Sequence, residues 1–257
     1  MITLITVTYN AEKTLGRTLQ SVEAQTFNSI QHIIMDGGSK DSTVTLAEAY
    51  RERVADRYEV TIVSERDNGL YDAMNKSLRI AQGDYICFLN AGDKLHSPST
   101  LSGIDKVADV QKVGVIYGDT DIVDDEGKRI RSRRLTPPEH LTWRSFRSGM
   151  LVCHQAFYVN RTIAQQYDTK YRFSADFDWC IRSMKEGERL GMGNIYLKDA
   201  PYGNKGEVLA DYLSEGMTTA NHKASLKERF RIMCNHYGTF TTVLQHLWFI
   251  MRTITKK

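Results

Sequence analysis

Apolar positions in the first hundred residues fall into short β-branched runs separated by stretches of helical spacing. Residues 2–8 form the first run, and Leu15, Leu19 and Val22 then recur every three or four positions as far as Gln25, which predicts a βα unit. Residues 30–35 predict a second strand broken by Asp36-Gly37-Gly38-Ser39, after which Asp41-Ser42 cap a helix carrying Val44, Ala47 and Tyr50. A third strand over 60–63 and a loop over 64–69 lead into a helix that turns Leu70, Met74, Ser77 or Leu78, and Ala81 inward. Residues 85–90, bounded by Gly83 and Gly92, read as a fourth, buried strand. Strands alternating with helices predict an α/β fold built on a mostly parallel sheet with right-handed crossovers.

The pattern is less regular in the second half. Residues 115–119 predict a fifth strand, and residues 121–123 with 129–133 a hairpin around Gly127. Residues 149–158 read as an apolar strand interrupted by His154-Gln155. A helix starting at Ser174 or Asp176 would face Trp179, Ile181 or Arg182, and Met184 inward. After a linker over 201–206, residues 214–257 predict one or two helices. In the last of these Phe240, Val243, Leu244, Leu247, Trp248, Met251 and Ile254 form a stripe widened by Phe249 and Ile250 and ended by Arg252, Lys256 and Lys257.

Composition narrows the class. With 257 residues, 41% of them hydrophobic, the chain can bury one substantial core. A net charge of +3 gives no argument for nucleic acid, despite basic residues clustered at 128–134. Four scattered cysteines without a CxxC pair suggest reduced thiols rather than disulfides or zinc, and no run reaches the length of a membrane span. The start of the chain enters a strand pattern without a signal-peptide core, so a cytoplasmic location is expected.

Three loops fall at strand carboxyl ends, where open α/β sheets bind ligands: Tyr9-Asn10, the Asp36 loop and Asn90-Ala91-Gly92-Asp93. An aromatic such as Tyr9 can stack on a base, Asp36 can accept from a base or ribose, and Asp93 can hold a hard cation against a diphosphate. Asp72, Asn75 and Lys76 would share one polar helix face. The plainer readings are a packing aromatic, a turn cap, a strand-end turn and a solvated face.

Four blocks decide between these readings. Residues 5–10 (Ile-Thr-Val-Thr-Tyr-Asn), 35–43 (Met-Asp-Gly-Gly-Ser-Lys-Asp-Ser-Thr), 65–76 (Glu-Arg-Asp-Asn-Gly-Leu-Tyr-Asp-Ala-Met-Asn-Lys) and 83–86 (Gly-Asp-Tyr-Ile) resemble, in order and spacing, family 2 glycosyltransferases of the GT-A fold. The similarity is greatest to bacterial members that build surface polysaccharides, including colanic-acid-type enzymes. It implies Tyr9 and Asp36 at the base, Thr8, Asn10, Asp67, Gly69, Asp72, Asn75 and Asn90 along the donor, and Asp93 as ligand of Mn²⁺ or Mg²⁺. Many family members carry Asp-x-Asp or Asp-Asp where this chain has 90–93, so coordination would rest mainly on one carboxylate and the phosphates. The resemblance also implies His154, Gln155 and Trp179 on the acceptor side. Ala175-Asp176 aligns with the family's Glu-Asp pair, which makes Asp176 the general base with Asp178 as fallback.

The expected activity is therefore inverting, metal-dependent transfer from a nucleotide-diphosphate sugar, UDP-sugar preferred, to a saccharide or lipid-linked acceptor. Residues 1–200 would form the GT-A domain, with a nucleotide-sugar half (1–95) and an acceptor half (96–200), and 207–257 a C-terminal helical extension. The apolar stripe predicts peripheral attachment to the inner face of the cytoplasmic membrane, the alternative being packing on the domain or in a homodimer. Two other classes compete. A non-catalytic nucleotide-binding module would need no Asp176, and a sugar nucleotidyltransferase would want a glycine-rich basic loop where Tyr9-Asn10-Ala11-Glu12 stands.

Overall fold

The structure is a computed structural model that describes residues 1–108, 113–198, 206–214 and 221–254, with side chains as far as 251. The first four strands form as the pattern predicts: β1 (Ile2–Thr8), β2 (Ile30–Asp36), β3 (Glu59–Ser64) and β4 (Tyr85–Phe88). Helices α1 (Leu15–Glu23), α2 (Thr43–Arg53) and α3 (Leu70–Ile80) connect them, and β1 pairs in parallel with both β2 and β4. Asp41 rather than Ser42 caps α2, its Oδ1 accepting from the Thr43 backbone N–H at 3.1 Å.

The large sheet has seven strands, in the order β10-β6-β9-β4-β1-β2-β3. Beyond β4 the sheet continues through β9 (Phe157–Asn160) and β6 (Val113–Tyr117) to the edge strand β10 (Gly193–Tyr196), and β3 forms the other edge. Only β9 runs against its neighbours, slotted between β4 and β6. Apolar side chains alternate between two cores because both faces are covered. Ile5, Val7 and Phe88 pack towards α3 and α5 (Ala175–Arg189), and Ile2, Leu4 and Cys87 towards α1, α2 and α4 (Thr100–Ala108).

Three expectations shift. The run at 149–158 is buried, but its strand begins only at Phe157, and His154–Ala156 form a short 3-10 turn. An apolar run signals burial and does not distinguish a strand from an irregular core segment. Gly118 ends β6 at Tyr117, and a Cβ there would lie 2.6 Å from the Glu207 carbonyl, so only glycine lets the backbones approach. Beyond it the chain enters a second, four-stranded sheet in the order β5-β11-β7-β8, comprising β5 (Lys94–Leu95), β7 (Asp119–Val123), β8 (Arg129–Ser132) and β11 (Val208–Leu213). The C-terminal stretch thus opens with a strand before α6 (His222–Tyr237) and α7 (Thr239–Ile254). Most of the expected linker, 201–205, lies outside the described residues, as do Lys256 and Lys257. All four cysteines are free thiols.

Burial gives one testable pH dependence. His32 is fully buried between Thr6 and Tyr50, and burial pushes its pKa down to about 3. An unfolded histidine protonates near 6.5, so its contribution to stability is intact above that value and is lost as pH falls towards the folded pKa. Between pH 7 and pH 5 the wild-type protein should lose roughly 1–2 kcal/mol that a His32→Gln variant does not lose. Urea titrations of both at the two pH values measure this, and equal losses would contradict it.

Candidate active site

The parallel registers Thr8↔Asp36 and Asp36↔Ser64 bring the loops after β1, β2 and β3 level at one sheet edge. Asn10, with φ of 47°, stitches two of them: its N–H donates to Ser39 Oγ and its Oδ1 accepts from the Lys40 N–H. Asp36 is buried beneath, its Oδ2 accepting from the N–H groups of Gly38 and Ser39 and from Ser64 Oγ, and its Oδ1 from Ser39 Oγ alone. Its first task is to shape the loop, and Oδ1 keeps a free lone pair. A Cβ at Gly37 would meet Asp67 Oδ2 at 2.6 Å and the Tyr9 ring at 3.3 Å. Tyr9, Gly37 and Asp67 therefore form one shelf, on which the Tyr9 ring is 63% exposed.

Below the third loop, Asp67 accepts from the Gly69 N–H at 2.8 Å, and Gly69 enters α3 with φ of 113°. Asp72 accepts from the Asn68 N–H, while Lys76 pairs with Glu65 at 2.7 Å. Asn75 departs from the polar face expected along the donor and does not line the cavity beside the shelf. It is 6% exposed and exchanges two hydrogen bonds with the Tyr167 backbone, an anchor between α3 and the segment before α5. The period-4 spacing was right, but position i+3 of this helix turns towards protein.

Beside the shelf lies a cavity of about 460 Å³, bounded by α3, the 90–93 loop, the His154 turn, the start of α5, β11 and α6. Asp93 is 5% exposed at its wall. Its Oδ2 accepts from Gln155 Nε2 at 2.6 Å and its Oδ1 from the Leu213 N–H at 3.0 Å, while burial pushes its pKa up to about 7. Asn90 Oδ1 and Thr8 Oγ1 are both buried and take no hydrogen bond. An orphaned amide oxygen together with a carboxylate that retains lone pairs is a hard-oxygen set. It fits Mg²⁺ or Mn²⁺ held chiefly by a ligand's phosphates.

Asp176 and Asp178 separate clearly. Asp176 lines the cavity from the first turn of α5, its Oδ1 accepting from Tyr71 Oη at 3.2 Å and the Phe177 N–H at 2.9 Å. Asp178 points away, between Arg182 Nε at 2.6 Å and His236 Nε2 at 2.8 Å. Burial pushes the Asp178 carboxyl up, but those two hydrogen bonds outweigh it and hold the group below its ordinary range. Asp178 joins α5 to α6, and Asp176 is the carboxylate open to a ligand.

Of the residues expected on the acceptor side, His154 and Gln155 line the cavity and Trp179 does not. His154 Nε2 meets Tyr167 Oη at 2.7 Å, and burial lowers its pKa to about 4, so it is neutral at physiological pH. Trp179 is fully buried, stacked on Tyr167 at 5.0 Å with its Nε1 donating to the Gln165 carbonyl, and it buttresses the site from behind. Tyr71, Arg133, Tyr212 and Arg229 also line the cavity, unforeseen in the sequence. Tyr71 stood in the third block and could have been picked out there. Arg229 carried no local signal, because it reaches the cavity from α6 and is indistinguishable in sequence from the other cations of that helix.

Comparison with known proteins identifies the family. The sequence profile described as "Glycosyl transferase family 2" matches residues 3–167. A PGL/p-HBAD biosynthesis glycosyltransferase of Mycobacterium bovis is 29% identical over 186 residues, 71% of this chain and 69% of that protein. The amylovoran biosynthesis glycosyltransferase AmsB of Erwinia amylovora is 26% identical over 72% of this chain and 64% of its own length. Among solved structures, S. aureus TarS 1-349 superposes with a TM-score of 0.68 at 15% identity, over 96% of this chain and 72% of that one. The mannosyltransferase PcManGT of Pyrobaculum calidifontis, in complex with GDP-Man and Mn²⁺, gives 0.61 at 15% identity over 95% and 73%. With its profile matched over more than half its length, its mostly parallel sheet and a ligand cavity at the carboxyl ends of the strands, the chain belongs to glycosyl transferase family 2 and is a glycosyltransferase.

Proposed function

We propose that the chain inverts the anomeric carbon of a nucleotide-diphosphate sugar as it transfers the sugar to a saccharide or lipid-linked acceptor in surface polysaccharide assembly. The observation that carries this reading is the placing of Asp176. It is the one carboxylate of the Asp176/Asp178 pair that faces the cavity, and Asp93 and Asn90 line the same cavity. In this reading the base stacks on Tyr9 and meets Asp36 and Asp67, and the diphosphate reaches Asn90 and Asp93. A divalent cation bound there would neutralise the charge developing on the leaving diphosphate. Asp176 takes the proton from the acceptor hydroxyl as that oxygen attacks, and Tyr71, whose proton burial makes hard to remove, holds Asp176 Oδ1 in place. Displacement by a single step inverts the centre. A UDP-sugar is the preferred donor, since TarS is also solved in complex with UDP and with UDP-GlcNAc.

A donor-hydrolysis screen over UDP-, GDP- and dTDP-sugars with Mn²⁺ tests the reading. Release of nucleotide from one class is expected; binding of a donor without any release of nucleotide would favour a non-catalytic nucleotide-binding role, and no binding of any donor would contradict the reading.

We treat residues 1–200 as the GT-A domain and 207–257 as its extension, with the qualification that β11 and α6 complete the cavity wall through Tyr212, Leu213 and Arg229. No helix of the described residues is long and apolar enough to cross a membrane. Helix α7 packs on α6 through His246 against Phe230, yet leaves Phe240 78%, Leu247 53% and Ile250 57% exposed. Such a face suits the interfacial layer of an anionic bilayer, where it would bring the cavity to a lipid-linked acceptor. Truncation before Thr239 should abolish flotation with anionic liposomes while donor hydrolysis persists. Full-length protein that never floats would leave packing against a second copy as the role of this face.

A further inference from the structure

On the face of the second sheet turned away from the cavity, three side chains converge that the transfer reading does not use. Asp121 of β7 and Asp211 of β11 are register partners, and their neighbours Ile122 and Tyr212 line the cavity, so the two aspartates point to the opposite side. His96, just past β5, places Nδ1 2.7 Å from Asp211 Oδ1. One ligand atom from each of the three lies within 4.8 Å of the others. Both aspartates are 5% exposed, and Asp121 Oδ1 is buried without a hydrogen-bond partner. A buried carboxylate oxygen left unpaired is unfavourable unless something occupies it.

We propose that His96, Asp121 and Asp211 bind a divalent transition-metal cation, separate from any cation on the donor diphosphate. One imidazole and two carboxylates are a donor set for zinc and its first-row neighbours, which bind such atoms at roughly 2.0–2.2 Å, so the three groups need only a small contraction. The competing charges can leave. Lys94 pairs with Asp211 at 3.0 Å and Arg129 with Asp121 at 2.5 Å, and their side chains are 31% and 58% exposed, free to turn to solvent as the cation replaces their two charges. Beside His96 and Lys94 an open pocket of about 380 Å³ gives the ion an approach and room for a completing water. A cation here joins β5, β7 and β11, the strands behind the cavity wall, and so steadies the Leu213 N–H that holds Asp93.

The test is isothermal titration of full-length, EDTA-stripped protein with Zn²⁺ in the absence of nucleotide, with thermal melts alongside. Wild type should bind Zn²⁺ one-to-one and melt several degrees higher with it. His96→Gln and Asp121→Asn should each weaken binding at least about tenfold, Asp93→Asn should leave it unchanged, and Lys94→Met should tighten it by removing a competitor. His96 is 39% exposed, so its variant tests the site without disturbing the core. No zinc binding by wild type, or binding that survives in a His96→Gln/Asp121→Asn double variant, overturns the proposal. Loss of binding in Asp93→Asn alone would move the ion to the donor site and overturn it equally.

Discussion

Asp176→Asn should lower transfer by roughly two or more orders of magnitude, the scale of a lost general base, while donor affinity stays near wild type. Asparagine keeps an oxygen for Tyr71 Oη and the Phe177 N–H, so the first turn of α5 holds its shape and only the proton acceptor is lost. Asp178→Asn has a different expected signature. It weakens the pairing with Arg182 and His236 between α5 and α6, and it should appear chiefly as a lowered melting temperature with turnover retained in the folded fraction. Steady-state kinetics and melts of the two variants side by side decide the assignment. A large turnover loss in Asp178→Asn with none in Asp176→Asn would reverse it.

The second large effect concerns Asp93. Asp93→Asn should abolish the Mn²⁺-dependent part of nucleotide binding and with it transfer, because a neutral amide is a far weaker ligand for a hard cation than a carboxylate. Alanine is the poorer choice. Although sequence alone suggests a dispensable loop residue, Asp93 holds Gln155 and the Leu213 N–H inside the protein, and deleting it would strand both at a cost of about 1–3 kcal/mol each. Nucleotide titrations with Mn²⁺ and with EDTA read the effect directly. Equal Mn²⁺-dependent affinity in wild type and Asp93→Asn would remove Asp93 from the cation site.

These two aspartates also show how far the sequence could be read. Asp93 and Asp36 were visible because parallel strands end in register, and a βα pattern is enough to place such loops side by side. The first four strands and three helices were legible because the helices each bury one apolar face at helical spacing, while the central strands, buried on both faces, read as near-continuous apolar runs. Legibility stopped where contacts became non-local. Nothing near Asp178 in the chain announces His236, which alone with Arg182 explains why this aspartate is structural. Trp179 carried two expectations, the inner face of its helix from spacing and the acceptor side from resemblance, and the spacing is what its complete burial bears out. Of the second sheet only the β7–β8 hairpin was foreseen; its joining to β5 and β11 was missed because these strands come from separated stretches and none is a continuous apolar run. Arg229 was missed because a cation on a polar helix has no mark until the helix is docked.

A single displacement at the anomeric carbon with Asp176 as base fixes the configuration of the product. Proton NMR of the sugar first released from whichever nucleotide-sugar the wild type turns over tests it most directly. The initial anomer should be opposite to that of the donor, followed by slow mutarotation, and Asp176→Asn should form it at a rate lower by about two orders of magnitude or more. An initial product with the donor's own configuration would contradict it, because retention needs a second displacement or attack on the leaving-group face, and neither is a single in-line displacement.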